Sequence, residues 1–215
     1  MIIEEIMRTK VVTMLPTNTI ADGIRLMKEK KIRHLPIVDS KQSLLGLVNA
    51  SRLRDASPSI FHAGEHAEVL EKPLGSIMRK DVITGHPLDF VEEVAGLFYK
   101  HRISCLPIIK DDKLVGIITE TDLLRTLVEL TGVHQPGSQI EIKFIHKPGQ
   151  LRKILDVIQK RNTLILSILM YPYKKDDRYK IAAIRVQTMN PTVIIHDLTA
   201  DGHEVLWPNL PGIVK

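Results

Sequence analysis

The sequence predicts an α+β protein in which one small unit occurs twice and a different domain follows. Residues 6–39 align without gaps on residues 77–110, and eleven of the 34 aligned pairs are identical. After a shift of one residue the match resumes at Gly46 and Gly116. A repeat of this length indicates two copies of one supersecondary unit, which bury their apolar faces against each other. A ligand would then lie in the crevice between the copies.

Each copy begins with the start of an apolar strand, followed by Thr, Pro and a first helix. In the first copy we expect Asn18 to cap this helix, and in the second Asp89 and Glu92 resemble a capping box. Two strands follow in each copy. Their sequences are HLPIVD and LLGLV in copy one, and CLPIIK and KLVGII in copy two.

A second helix is predicted from Asn49 in copy one and from Thr119 in copy two. Pro58 should end the former early, whereas the latter can continue to Gly132, a suitable C-cap. The resulting domains are 1–60 and 77–133. The linker 61–76 between them contains His62 and His66, four residues apart. Because the sequence offers no third ligand, we interpret this segment as a linker and not a metal site.

The C-terminal third has a different pattern after the GVHQPGS segment. An alternating strand at 140–144 precedes a helix that opens at Pro148-Gly149, and strands are predicted at 164–171, 179–186 and 203–207. A second helix fits residues 190–202. The order βαββαβ is a ferredoxin-like arrangement over residues 138–215.

The repeat, with LPIVD followed by Gly-aliphatic-aliphatic-Thr-x-x-Asp, resembles the CBS domain, and the tandem pair resembles the Bateman module. The resemblance implies a crevice for an adenosine-containing ligand: AMP, ADP, ATP or S-adenosylmethionine. Asp122 would accept the ribose hydroxyls, with Thr119 and Thr121 near the phosphate at a helix N-terminus. The alternative is that Thr119 and Asp122 form a capping box that needs no ligand.

The resemblance also implies roles for six further residues. Three would line the adenine end of the site, and two of the first copy would bring positive charge to the phosphates. Arg52 stands where the first copy would carry its ribose-binding aspartate, so one crevice should be the better nucleoside site. Its guanidinium is a further phosphate candidate. The adenine-end residues are Ile83, Thr84 and Gly85, and the first-copy pair is Arg33 and His34.

Pro148-Gly149-x-Leu151 at the first strand-to-helix turn resembles an ACT domain, a regulatory fold that often binds amino acids. The complete chain, with HPLDFVEEV, DLLRTLVELTG and QPGSQIEIK, is similar to the acetoin utilisation protein B family. That resemblance implies a non-catalytic homodimeric regulator in acetoin or butanediol use and sporulation, acting on an unknown protein of acetoin or acetyl-CoA metabolism. The alternatives are a structural scaffold with a vestigial nucleotide site, or an amino-acid sensor that uses the ACT domain.

Composition and motifs limit the other classes of function. No P-loop, G-x-S-x-G or HExxH occurs, so we predict no catalytic residues, no metal and no required cofactor. The net charge of +5 is dispersed and aromatic residues are only 4%, which argues against nucleic acid. The absence of an 18-residue apolar run or a secretory signal predicts a cytoplasmic protein without a membrane partner. Cys105, the single cysteine, is expected in the core.

Overall fold

The structure is a computed structural model that describes residues 1–56 and 67–208. Contacts within the chain divide it into two compact units, Met1–Leu124 and Arg125–Lys215. The predictions made for Pro58, His62 and His66 lie outside the described residues, as does the first part of the predicted linker.

Each repeat contains a helix, an antiparallel hairpin and a second helix, in the predicted order. The elements of the first repeat are α1 (Ile20–Lys30), β1 (His34–Val38), β2 (Leu44–Asn49) and α2 (Ala50–Ala56). A short helix, α3 (Ala67–Leu70), stands between the repeats. The elements of the second repeat are α4 (Val91–His101), β3 (Cys105–Lys110), β4 (Lys113–Thr119) and α5 (Glu120–Thr131). Helix α5 crosses the division between the two units.

The two hairpins are built alike. The register shifts after Ile37 in the first and after Ile108 in the second, which are aligned residues. In place of the predicted opening strand, each copy has isolated bridges, among them a parallel one from Met14 to Ile37 and from Gly85 to Ile108. The repetition in sequence is therefore a repetition in backbone geometry.

Each repeat sends its N-terminal segment into the other. Ile3 is fully buried in the core of the second repeat, and its N–H donates to the Asp89 carbonyl at 2.9 Å. Leu74, in the corresponding segment of the second repeat, is fully buried in the core of the first. Its N–H donates to the Asn18 carbonyl at 2.8 Å. Neither core is complete without a residue from the other copy.

The glycine of each hairpin makes room for the exchanged segment. A Cβ at Gly46 would lie 2.8 Å from the Arg79 carbonyl oxygen, and one at Gly116 would collide with the Met7 side chain. Leu47 and Arg79 exchange two backbone hydrogen bonds at this crossing. These glycines therefore serve the contact between repeats.

Two predicted helix caps are wrong. Helix α1 is capped by Thr19, whose hydroxyl accepts from the Asp22 N–H at 3.1 Å, whereas Asn18 accepts the Leu15 N–H. Helix α4 begins at Val91 after Phe90, which has no side-chain cap. Asp89 instead accepts the His86 N–H at 2.7 Å, because it closes the preceding turn.

The second unit has the element order βαββαβ that the sequence predicted. Helices α6 and α7 pack with the apolar residues of the sheet to form one core. The strand order of the sheet is β6-β7-β5-β8, so β6 and β8 are its edges. The elements are β5 (Ser138–Ile145), α6 (Gln150–Gln159), β6 (Ile165–Pro172), β7 (Tyr179–Val186), α7 (Thr192–Ala200) and β8 (Glu204–Trp207).

Two glycines stand at helix ends in the left-handed backbone conformation. Gly132 follows α5 with φ +64°, as expected of the predicted C-cap, and Gly149 precedes α6 with φ +81°. Cys105 is buried and unpaired, which confirms its core position. Among the described residues, every helix is too short or too polar to span a bilayer.

Candidate functional site

A cavity of about 240 Å³ opens between the two repeats. The segment before α1, the loop that leads into β1, and the junction of β4 with α5 all contribute to its wall. Its polar lining residues are Arg8, Lys10, Lys31, Arg33, His34, Ser104, Thr119, Glu120 and Thr121. We call this cavity the main crevice.

The main crevice is strongly basic. Four cationic side chains line it, and Glu120 is the one carboxylate among its lining residues. The four cations are Arg8, Lys10, Lys31 and Arg33. Thr119 and Thr121 stand at the start of the twelve-residue helix α5, where the helix dipole favours an anion. The chemistry of this wall suits a phosphate or a similar anionic group.

Asp122 lies behind this wall and is only 3% exposed. Arg8 donates to its Oδ1 from Nε at 3.1 Å and from Nη2 at 2.8 Å. The Thr119 N–H and hydroxyl donate to its Oδ2 at 3.0 and 2.6 Å. Burial raises the pKa of Asp122, but the hydrogen bonds from Thr119 and Arg8 outweigh it and hold that pKa below its ordinary value.

One half of the capping alternative is therefore present in the structure, because the Asp122 carboxylate accepts the N–H of Thr119, the residue before α5. Four donated hydrogen bonds occupy the positions at which a carboxylate accepts. A ribose could reach Asp122 only if Arg8 gave up its two bonds. Because Arg8 is half exposed, that exchange requires no rearrangement of a buried side chain.

His34 and Ser104 stand at one end of the main crevice. The His34 Nε2 and the Ser104 hydroxyl are 2.9 Å apart and share a hydrogen bond. Burial, and then the neighbouring charge of Arg33, lower the pKa of His34. The imidazole is therefore held neutral in a region that already carries several cations.

A second cavity, of about 120 Å³, shares this pair with the main crevice. His34 and Ser104 line both cavities. The other polar lining residues are Asn49, Arg52, Arg79, Arg102 and Cys105. Arg79 aligns with Arg8 and Arg102 with Lys31, which line the main crevice, and Arg52 aligns with Asp122, which lies behind its wall. We call this cavity the second crevice.

The structure brings together only part of the predicted site. Arg33, His34, Thr119 and Thr121 line the main crevice, and Asp122 lies directly behind it. Arg52 lines the second crevice, where its Nη1 donates to the Ile77 carbonyl at 3.0 Å.

The three residues predicted for the adenine end lie elsewhere. Thr84 lines a separate hollow together with Gly46, and Ile83 packs against the core of the second repeat. Gly85 is fixed by backbone hydrogen bonds with Pro107 and Ile109. Val11 and Val12 of the first copy are apolar lining residues of the main crevice.

Sequence analysis missed Arg8, Lys10, Lys31 and Ser104 as lining residues. A signal for Arg8 was available, because it is identical with Arg79 in an alignment that conserves few charged residues. What the alignment did not show is that each N-terminal segment crosses to the other repeat. Within residues 1–56 and 67–208, no three His, Cys, Asp or Glu side chains are grouped to hold a metal ion.

The fold and its two crevices define an exchanged pair of small α+β repeats that surround paired cavities. Residues 3–59 and 74–129, more than half of the chain, match the sequence profile of the CBS domain. The chain therefore belongs to the CBS domain family, as a tandem pair. CBS pairs are generally regulatory modules.

The chain is similar to an enzyme and to two proteins of known structure over 59% to 62% of its length. Homoserine O-acetyltransferase of Methanobrevibacter ruminantium is 36% identical over 59% of this chain, but the match covers only 24% of that enzyme. A candidate acetoin utilization protein from Vibrio cholerae has a structure with 34% identity and a TM-score of 0.55, over 62% of this chain and 95% of that one. The CBS domain pair of protein MJ0100, solved with 5′-methylthioadenosine and S-adenosyl-L-methionine, has 26% identity and a TM-score of 0.51, over 59% and 95%.

Proposed function

We propose that this protein is a non-catalytic regulator that senses an adenine nucleotide in the main crevice. The observation that carries the proposal is the basic wall between the repeats, which combines four cations with the start of α5. A ligand held there would touch both repeats. Its binding energy would then bias their relative arrangement, which is the requirement for a sensor.

The ribose assignment rests on Asp122. Its carboxylate lies at the first turn of α5, beside Thr119 and next to the cationic wall. When a nucleoside binds, Arg8 would leave Asp122 and turn to the phosphate, and the two ribose hydroxyls would take its place. The solved CBS pair with two adenosine compounds supports this class of ligand.

The physiological role extends the same proposal. Likeness to a candidate acetoin utilization protein supports a regulated partner in acetoin or acetyl-CoA metabolism. The C-terminal unit, with its βαββαβ order and its glycine-initiated helix α6, is proposed to be an ACT domain. It would transmit the signal or bind an amino acid of its own.

We further propose a homodimer that forms through β6. This edge strand presents apolar side chains along its length, with Leu169 44%, Met170 50% and Tyr171 38% exposed. Open edges of this kind pair with another strand, and a second copy would supply one. Met170→Lys should shift the protein toward monomer in sedimentation equilibrium. Met189→Lys, at a residue 77% exposed outside the sheet, is the control and should leave the mass unchanged.

The test of the sensor function is calorimetric titration and thermal unfolding of the full chain with adenosine, AMP, ADP, ATP and S-adenosylmethionine. A ligand at about 100 times its Kd should add about 2.7 kcal/mol to the free energy of unfolding. 2′,3′-Dideoxy-AMP should bind at least tenfold more weakly than AMP, because it lacks the hydroxyls that Asp122 would accept. Stabilisation by amino acids alone would move the sensing role to the C-terminal unit. Absence of any response would favour a scaffold.

A further inference from the structure

The second crevice contains three arginines and no carboxylate among its lining residues. Arg52 lies at the position that is an aspartate in the other repeat, so Arg79 lacks the partner that Arg8 has. The Arg52 guanidinium donates to the Ile77 backbone carbonyl, and no side-chain partner of Arg79 or Arg102 occurs among the described residues. Three guanidinium groups around a cavity of about 120 Å³ create a strongly positive potential.

The backbone at Arg102 supports a role for its side chain. Arg102 adopts φ +50° directly after α4, in the left-handed region where helices usually place glycine. A non-glycine residue there costs of order 1 kcal/mol. Lys31, the aligned residue after α1, adopts φ +53° and lines the main crevice. In both copies, therefore, a long cationic side chain lines a crevice from a residue whose backbone conformation is unfavourable.

The two crevices adjoin through His34 and Ser104, which line both. A phosphate beside this pair would lie at the boundary between the cationic wall of the main crevice and the three arginines. His34, whose pKa is lowered, can donate a hydrogen bond there without adding a charge. The position therefore suits the middle of a phosphate chain.

We propose that the three arginines bind the terminal phosphates of a nucleotide whose adenosine lies in the main crevice. The protein would then recognise the length of the phosphate chain, and ATP would bind more tightly than AMP. This inference rests on the proposed function. It goes further in that it selects among the adenine nucleotides and assigns a role to Arg52, Arg79 and Arg102.

The test is calorimetric titration of the full chain with AMP, ADP and ATP at fixed ionic strength. Each added phosphate that gains a charge-assisted hydrogen bond should lower Kd by about tenfold, which corresponds to about 1.4 kcal/mol. Arg79→Gln combined with Arg102→Gln should remove this gain for ATP and leave the Kd of AMP within about twofold. Arg152→Gln, which removes an exposed arginine of α6, is the matched charge control and should change neither.

Two outcomes would overturn the inference. The first is equal affinity for AMP and ATP in the unmodified protein, and the second is an equal loss of affinity for both ligands in the double variant. Titration with tripolyphosphate separates this inference from the proposed function. If no adenosine compound binds but tripolyphosphate does, and the double variant abolishes that binding, the arginines form an anion site and the nucleotide function is wrong. If tripolyphosphate and ATP both bind independently of these arginines, the phosphate role is wrong.

Discussion

Arg8 and Asp122 join the two repeats: a guanidinium from the N-terminal segment donates twice to a buried carboxylate 114 residues later. The pair is asymmetric, since Arg8 is 52% exposed and Asp122 is 3% exposed. Loss of the arginine leaves a buried charge without its counterion, whereas movement of the arginine toward a ligand exchanges one anion for another. The pair can therefore act as a gate to Asp122.

Arg8→Met should have different effects on the affinity for adenosine and on the affinity for AMP. Without Arg8, its two hydrogen bonds to the Oδ1 atom of Asp122 no longer compete with a ribose, so adenosine should bind several-fold more tightly. AMP should gain less or lose affinity, because the variant also lacks a cation for the phosphate. Calorimetric titration with both compounds measures the difference. Equal changes for adenosine and AMP would show that Arg8 does not choose between Asp122 and phosphate.

Asp122 should make stability depend on pH in a defined range. Its pKa is lowered in the folded protein, so its stabilising contribution is complete above its unfolded value near 4 and is lost as pH falls through the folded value. Asp122→Asn should therefore cost about 1–3 kcal/mol at pH 7 and progressively less below pH 4. Urea unfolding at several pH values measures this. Asp156→Asn, at an exposed carboxylate of α6, is the control. A pH-independent cost would contradict the role of the charge.

Gly46 should be intolerant of a methyl group. A Cβ there meets the Arg79 carbonyl oxygen at 2.8 Å, and a backbone atom in the exchanged segment cannot move aside cheaply. Gly46→Ala should destabilise the protein by about 1–3 kcal/mol. Gly96→Ala provides the contrast, because Gly96 lies within α4 with open space around it. It should stabilise by up to about 1 kcal/mol. Similar urea midpoints for the two variants would exclude a close crossing.

Cys105 should be inert in the folded protein. Burial, and then the charge of Asp122, raise the pKa of its thiol to about 12, so almost no thiolate forms at pH 8. Ellman's reagent should label it only after unfolding in guanidinium chloride. Rapid stoichiometric labelling of the native protein would mean that the crossing of the two repeats opens readily.

The sequence predicted the elements better than it predicted the site. Strands β1 to β4 and the order of the C-terminal unit follow from local patterns of apolar residues and turns, and the structure has them. The helix starts at Asn18 and Asp89 were wrong because each side chain satisfies a nearer turn instead. Competition between equivalent local hydrogen bonds is decided by backbone geometry, which a capping pattern does not specify.

The site depends on contacts that local patterns do not contain. Thr119 and Asp122 were identified because they share one helix start, three residues apart. Arg8 was missed because it reaches Asp122 only through exchange of the N-terminal segments. Thr84 belongs to the copy that carries Asp122, yet it lines a different hollow, while Val12 of the other copy lines the main crevice.

Because Ile3 and Leu74 each complete the core of the other repeat, a single repeat is not expected to fold stably by itself. A fragment that begins after Leu74 would retain its own hairpin and helices but would lack Ile3, and its core would contain a hole the size of an isoleucine side chain. Loss of a fully buried aliphatic side chain costs about 2–5 kcal/mol, which is a large share of the stability of a small domain. The repeats are therefore expected to unfold together in one transition, and an insertion that separates them would disable both.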